Sequence, residues 1–395
     1  MKKMKNFESL TTDITFDVLS RLPTKRLIEL KTVSKGWKQL ITNPLFIKVQ
    51  SQKEEPLSGF FFQQRFQWCE IDIKTINYIP VKLKEGIELQ NGCFDFLSQE
   101  VVLLTSCNGL ICCRSCFPFE NPSLFVCNPL NREWIKLDWI NPDKENSIAL
   151  AFDPSKDLVD NSANFKLVRV SQKQAEEEGF YFSFDIYSSE TKSWKLSNEI
   201  CCCNNNFYKN KGVFIGGILH WLTDGDQILT FMVENELAWL ISTPLPSTEF
   251  NSVPEACIGE SEGKLYYIII SEEGIHVWFL EHYFEFNWSL KHSKTLAVME
   301  QENPQFLCNL QERVKQRLTN DFSPWMDPIA FKDGILLLRV SNTVYLYHIE
   351  RSKMEKVSDI SKFGTNSIMS SPIVLPYSMS LVPLLSKTEL TPSGA

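Results

Sequence analysis

The spacing of apolar residues along the chain changes near residue 50. Upstream of that point apolar residues recur every three or four positions, as Ile14, Val18 and Leu22 do, and this is the period of one face of an α-helix. Downstream, short runs rich in Phe, Ile, Val, Tyr and Trp alternate with clusters of Gly, Pro, Asn and Asp, which is typical of strands and turns. The sequence therefore predicts a small helical unit followed by a mainly β domain.

Three short helices are predicted in the helical segment. The first helix is expected to end at Pro23, because proline removes a backbone donor and clashes with the preceding turn. The side-chain oxygens of Thr24 and Ser34 are expected to cap the second and third helices. Asn43-Pro44 is expected to end the third helix.

A helical unit this short encloses too little apolar surface to be stable alone. We therefore expect that it cannot bury all of its larger apolar residues and that some of them contact a partner; these residues are Leu19, Leu22, Leu30, Val33 and Trp37.

The charge of the chain is unevenly distributed. Residues 1–50 carry ten Lys/Arg and four Asp/Glu, whereas the other residues carry thirty and forty-four, within a total net charge of -8. The upstream cations are interspersed among apolar helical positions without a groove-reading motif, so an acidic protein surface is favoured over nucleic acid as the partner. A merely solvated helix face is the alternative.

Several short sequence motifs in this segment resemble the F-box. They are LTTDI at 10–14, LSRLP at 19–23, Leu27, VSKGW at 33–37, LI at 40–41 and Pro44. The resemblance implies that the helices dock on a Skp1-type adaptor, which joins a cullin scaffold. It also implies a set of adaptor-binding residues: Leu10, Ile14, Val18, Leu19, Leu22, Pro23, Leu27, Leu30, Val33, Ser34, Trp37 and Leu40.

The downstream strands repeat one plan, as in "NGLICC" followed by "SLFVCNPLNREWIKL", and "DGILLLRV" followed by "TVYLYHIERSKMEKV". A glycine turn precedes a buried strand, a second strand follows, and a large residue stands on the next strand: Trp134, Trp194, Trp239, Trp288 or Met354. Such repeats of roughly 40 to 50 residues predict a β-propeller. Six or seven blades are expected, and a large β-sandwich is the alternative fold. The last strand, "IVLPYSMSLVPL", is expected to pair near "GFFFQQRF" and close the ring.

Short sequence motifs of the β domain also resemble those of a known family. "SCNGLICC", "VCNPLNREW", "DIYSSETKSWKL", "GVFIGGILHWL" and "QILTFMVE" are similar to the F-box-associated, kelch-related domain of plants. Both resemblances together imply the substrate receptor of a Skp1-cullin-F-box ubiquitin ligase, a protein with no covalent chemistry of its own. The expected segments are a flexible N-terminus (1–9), the F-box (10–50), a linker (51–59), the β domain (60–386) and a flexible tail (387–395).

Other chemistries find little support in the sequence. The five histidines lie in or beside strand runs without metal-ligand spacing, and the glycines form no phosphate-binding motif. We expect free thiols, no metal, no cofactor, no membrane span and a location in the cytoplasm, the nucleus or both. A propeller scaffold, or an unrecognised propeller enzyme, with an idle F-box is the alternative function. The substrate-binding residues are not identified, but four loops are candidates: 138–147, 171–179, 199–211 and 300–325.

Overall fold

The computed structural model describes most of the chain. The described residues are 12–65, 72–81, 93–117, 122–139, 142–143, 146–159, 162–174, 179–252, 254–283, 285–320, 326–363 and 372–384. Within them, no helix is long and apolar enough to cross a membrane.

The helical unit contains four short helices, one more than predicted. They are α1 (Thr12–Ser20), α2 (Thr24–Lys31), α3 (Lys35–Ile41) and α4 (Pro44–Ser51). Ser34 caps α3 as predicted, since its hydroxyl accepts a hydrogen bond from the Trp37 backbone nitrogen at 3.1 Å. The prediction for Thr24 was wrong: Pro23 is the N-cap of α2, and Thr24 is its buried first residue. α3 ends at Ile41, two residues before Asn43, and Asn43 caps α4 by accepting a hydrogen bond from the Leu45 nitrogen at 2.9 Å.

The β domain consists of small antiparallel sheets that follow one another along the chain, and we call each sheet a blade. The first twelve strands, in chain order, are β1 (Gly59–Gln63), β2 (Ile76–Pro80), β3 (Val101–Cys107), β4 (Leu110–Ser115), β5 (Ser123–Asn128), β6 (Glu133–Asp138), β7 (Ser147–Ala151), β8 (Leu158–Val159), β9 (Ser162–Ala163), β10 (Lys166–Gln174), β11 (Phe180–Ser188) and β12 (Ser193–Cys202). Blade 2 is β3 to β6 and blade 3 is β7 with β10 to β12, whereas β8 and β9 form a separate hairpin.

The remaining blades continue the same order. Their elements are β13 (Phe207–Ile215), β14 (Ile218–Thr223), β15 (Gln227–Met232), β16 (Leu237–Ser242), β17 (Glu255–Ser261), β18 (Lys264–Ser271), β19 (Gly274–His282), β20 (Asn287–Thr295), α5 (Leu296–Glu302), α6 (Leu310–Asn320), β21 (Met326–Lys332), β22 (Ile335–Val340), β23 (Thr343–His348), β24 (Lys353–Asp359) and β25 (Ile373–Tyr377). Blade 4 is β13 to β16, blade 5 is β17 to β20, blade 6 is β21 to β24, and β25 joins β1 and β2 in blade 1.

The innermost strands of the blades form a closed ring. Each of β3, β7, β13, β17, β21 and β25 contacts the next, and β25 contacts β3 again. Two of these strands, β17 and β21, even pair in parallel, and a side-chain carbon on Gly259 would stand 2.2 Å from the Phe331 carbonyl oxygen. The described strands thus form a six-bladed ring rather than a β-sandwich, and the predicted fold class, a helical unit followed by a β-propeller, is confirmed.

The ring is closed by the two ends of the β domain, as predicted. The last strand, β25, pairs with β1, so that Phe60 lies opposite Pro376 and Phe62 opposite Val374. Phe60 and Phe62 are fully buried, which places this closure inside the core. The predicted large residues also lie where expected, because each stands on the outermost strand of its blade.

The turns between the first and second strands explain the repeated glycines. Asn108-Gly109, Glu262-Gly263 and Asp333-Gly334 have positive φ at both residues, as the tight two-residue hairpin turn requires. These turns line one cavity of about 780 Å³ together with residues 50–56. We call this end of the ring, next to the helical unit, the proximal end, and the opposite end the distal end.

Candidate functional site

The helical unit has a small core of its own. Leu19, Leu27, Ile41 and Phe46 are 0–4% exposed and pack together. Phe16 meets Phe46 edge to face, with ring centroids 5.2 Å apart. Two of the predicted adaptor-binding residues, Leu19 and Leu27, therefore lie inside the unit, where they support the surface rather than form it.

Other predicted residues lie at the surface of the helical unit. Ile14, Val18 and Val33 are 49%, 54% and 63% exposed, and Pro23 and Ser34 are also exposed. Four more are half-buried: Leu22, Leu30, Trp37 and Leu40. Leu10 lies outside the described residues. An adaptor role for any of these residues stays a prediction, but large exposed apolar side chains at this density are a feature of protein interfaces.

The same surface is basic. Lys25, Arg26, Lys35 and Lys38 are exposed on α2 and α3. Burial, together with the charge of Lys38, lowers the pKa of Lys31. A partner with an acidic surface would offset this crowding of positive charge.

Two exposed apolar residues of the helical unit were missed by the sequence analysis. Leu45 is 68% and Val49 is 38% exposed on α4. They stand four residues apart in PLFIKVQS, and this helical spacing was the signal that could have identified them. They provide a natural control for the predicted surface, since neither belongs to it.

The segment after α4 attaches the helical unit to the ring. The Glu55 carboxylate accepts hydrogen bonds from the Thr24 backbone nitrogen (3.0 Å), the Thr24 hydroxyl (2.7 Å) and the Gln50 side-chain amide. Burial raises the pKa of Glu55, although these hydrogen bonds oppose the shift. Asp333, in the proximal turn of blade 6, accepts from the Leu57 nitrogen at 2.7 Å.

Three of the four candidate loops leave the ring at its distal end. Residues 138–147 join β6 to β7, 171–179 join β10 to β11, and 199–211 join β12 to β13. The last of these was predicted too long, because strand residues leave only 203–206 as the connection. Phe180 is 45% exposed beside it and donates its backbone N–H to Asn204 at 2.9 Å.

The fourth candidate, 300–325, is not a free loop. The segment contains the helix α6, whose Leu310 and Val314 are 0% and 7% exposed in the core shared by blades 5 and 6. The Asn303 side chain donates to the Ser352 carbonyl at 3.1 Å and accepts from the Met354 nitrogen at 2.9 Å. The described part of this segment therefore fills the rim between two blades.

The proximal cavity contains charged groups that pair with each other. Lys332 forms an ion pair with Glu260 and lies 3.8 Å from Asp333. Burial opposes the charge of Lys332, but the two carboxylates outweigh it and raise the pKa of the lysine. These groups stabilise the mouth of the ring and form no nucleophile-base pair.

Two of the described histidines are held by neighbouring groups of the β domain. Burial lowers the pKa of His220 to about 4, and its Nδ1 lies 3.1 Å from the Val213 carbonyl oxygen. His292 Nε2, on β20, lies 3.1 Å from the Tyr347 hydroxyl, on β23. Among the residues that the structure describes, no group of three or more His, Cys, Asp or Glu could hold a metal ion, and all cysteines are free.

Several proteins similar to this chain are named F-box proteins. F-box protein At5g49610 of Arabidopsis thaliana is 28% identical over 304 residues, covering 73% of this chain and 79% of that protein. F-box protein At5g07610 of the same plant is 25% identical over 318 residues, covering 75% and 72%. Putative F-box protein At4g10190, also from Arabidopsis thaliana, is 23% identical and covers 89% of this chain and 93% of its own.

Family models match each part of the chain. The F-box domain matches residues 7–48, and the model described as "F-box protein At3g26010-like, beta-propeller" matches residues 93–314, more than half of the chain. The chain therefore belongs to the family of F-box proteins with an At3g26010-like β-propeller.

Proposed function

We propose that this protein is the substrate-recognition subunit of a Skp1-cullin-F-box ubiquitin ligase. Its F-box binds a Skp1-type adaptor, which joins a cullin, and its propeller captures a protein substrate. The observation that carries the proposal is the exposed apolar and basic surface of α1, α2 and α3 on an F-box that is seated on a closed propeller. Catalysis in this proposal is proximity supplied by the assembly, not by a residue of this chain.

The substrate surface is proposed at the distal end of the propeller. The F-box lies at the proximal end, so a substrate at the distal end would not compete with the adaptor for the same surface. Phe180 is an exposed aromatic residue at the distal end, and aromatic side chains often anchor protein contacts. We also propose that the propeller is an F-box-associated, kelch-related domain. The protein is proposed to be located in the cytoplasm, the nucleus or both.

Co-purification with a Skp1-type adaptor tests the proposal. Val33→Asp places a charge at a residue that is 63% exposed, so the fold should persist while the affinity for the adaptor falls roughly tenfold or more. Leu45→Asp is the matched control, because Leu45 is 68% exposed but lies outside the predicted surface. The proposed contact would be contradicted if the full-length protein bound no adaptor. It would also be contradicted if Leu45→Asp lowered the affinity for the adaptor and Val33→Asp did not.

A reconstituted ubiquitination assay tests the division of labour. Deleting residues 10–46 should leave substrate capture intact and stop transfer of ubiquitin to the substrate. Phe180→Ala should leave adaptor binding intact and weaken substrate capture. Turnover of a substrate by the propeller in the absence of adaptor and cullin would show that the chain is itself an enzyme.

A further inference from the structure

The last described residues, Ser378–Leu384, cross from the propeller to the F-box, and we call them the strap. They follow β25 and pass against blade 2. A side-chain carbon on Gly109 would stand 2.2 Å from the Ser380 Cβ. The backbone of blade 2 thus approaches the strap more closely than any residue other than glycine would allow.

Two asparagines in the turn between β5 and β6 hold the backbone of the strap. Asn128 is fully buried, and its side-chain amide donates to the carbonyls of Ser380 (3.0 Å) and Val382 (2.8 Å). The Asn131 amide donates to the same Val382 carbonyl at 3.1 Å. Because buried carbonyls need partners, these amides define the path of the strap.

The end of the strap is fixed in the same way. The Leu384 nitrogen donates to the Glu133 carboxylate at 2.7 Å. The Pro383 carbonyl accepts from the Ala163 nitrogen at 2.9 Å. The strap is therefore bonded to both blade 2 and the small hairpin of β8 and β9.

Neighbouring side chains of the strap enter two different cores. Val382 and Leu384 are 0% and 3% exposed and pack in the core of blades 2 and 3. Leu381 is 3% exposed and packs with Leu27 and Phe46 in the core of the F-box. Leu130, from the asparagine turn, packs against the same F-box core.

We propose that the strap positions the F-box on the propeller, with Leu381 as the contact and Asn128 and Asn131 as positioning residues that act through it. This rests on the proposed function, since a fixed direction between adaptor and substrate matters only in a ligase. A short segment whose neighbouring side chains are buried in two different cores resists rotation of one core against the other, because any rotation exposes these side chains to water. The linker hydrogen bonds of Glu55 hold the F-box at a second point.

The test is a distance measurement on the full chain alone, so that its outcome does not depend on whether an adaptor binds. Spin labels are introduced as noncanonical residues at Lys35 on α3 and Glu273 at the distal end, both exposed. The distribution of distances between them should be narrow for the wild type. With Leu381→Ala it should become roughly twice as wide, because the F-box gains freedom relative to the ring.

Val382→Ala is the matched control, since it removes an adjacent strap side chain from the core of blades 2 and 3 and leaves the F-box core with Leu381 unchanged. It should lower the melting temperature and leave the distribution narrow. Asn131→Ala is the second variant in case Leu381→Ala unfolds the F-box, because it leaves every apolar residue in place; it should widen the distribution in the same direction by less. Equal widths for wild type and both Leu381→Ala and Asn131→Ala, or equal widening by Val382→Ala, would overturn the proposal.

Discussion

The F-box and the propeller solve the problem of burying apolar surface in different ways. The propeller closes on itself, since its inner strands contact one another around a ring and β25 pairs with β1. The F-box buries only a few side chains, completes its core with Leu381 from the strap, and leaves Val18 and Val33 in solvent. The ring is thus a complete structure, whereas the F-box depends on the ring on one side and remains open on the other.

This difference shows what each region is suited to do. A closed ring leaves only short, protected sheet edges and can vary its loops without loss of fold. A small helical unit with exposed apolar residues is stabilised further when a partner covers them. The two regions can therefore vary separately, which suits the proposed division between a substrate surface and an adaptor surface.

The largest effect is expected from opening the ring. A chain that ends before Ile373 lacks β25 and the strap, so β1 loses one of its two partner strands and the buried Phe60 and Phe62 are exposed. We expect loss of cooperative unfolding and of soluble expression. Circular dichroism and calorimetry measure this, with a chain ending at Leu384 as the control. A truncated chain that melts like the control would refute closure by the last strand.

The second largest effect separates the core of the F-box from its surface. Leu27 is fully buried, and Leu27→Ala should cost about 2–5 kcal/mol of F-box stability through the lost contacts and the cavity left behind. Val33→Ala, at a residue 63% exposed, should change stability by less than about 0.5 kcal/mol. Hydrogen exchange of α2 and α3 amides reports both values. Similar exchange in the two variants would mean that the F-box core is not the one described here.

The third effect concerns the ring without its F-box. Residues 56–390 should express as a folded unit, because the inner ring is intact. Without the F-box core, however, Leu130 and Leu381 become exposed to water. We expect a loss of about 1 kcal/mol and some self-association. Replacing both leucines by serine should restore a monomer in light scattering. A fragment that is unfolded even with the serines would show that the ring needs the F-box.

The sequence predicted the ring well because its signals are local. Turn glycines such as Gly263, strand runs and one large residue per repeat follow from short-range rules, and closure follows from the need to pair two edges. The F-box surface was predicted from spacing and resemblance, but spacing alone does not separate inside from outside. Leu27 and Val33 were both predicted as adaptor-binding residues, yet one is buried and the other exposed.

What the sequence could not show are contacts between distant segments. Thr24 was assigned as a cap because its type suits that role, but Glu55, thirty-one residues away, accepts its backbone and hydroxyl hydrogens instead. The contact of Leu381 with Phe46 joins opposite ends of the chain. The segment 300–325 looked like a loop, because its burial depends on blades 5 and 6 being neighbours.

The smallest expected effect is a difference in the response of the two regions to pH. Burial raises the pKa of Glu55 above its ordinary value of 4.5, so the folded junction binds a proton more tightly than the unfolded chain. Its contribution to stability is present below pH 4.5 and is lost as pH rises through the raised pKa. Burial lowers the pKa of His220, in blade 4, from 6.5 to about 4. That contribution is present above pH 6.5 and is lost as pH falls toward 4.

Opposite slopes are therefore expected for the α2 amides and the blade 4 amides when hydrogen exchange is measured between pH 4 and 7 and corrected for the intrinsic rate. Glu55→Gln keeps an acceptor for Thr24 but cannot ionise, so it should flatten the α2 slope and leave the blade 4 slope unchanged. His220→Gln should do the reverse. If Glu55→Gln leaves the α2 slope as it was, the carboxylate does not control the junction, and the strap becomes the principal attachment of the F-box to the ring.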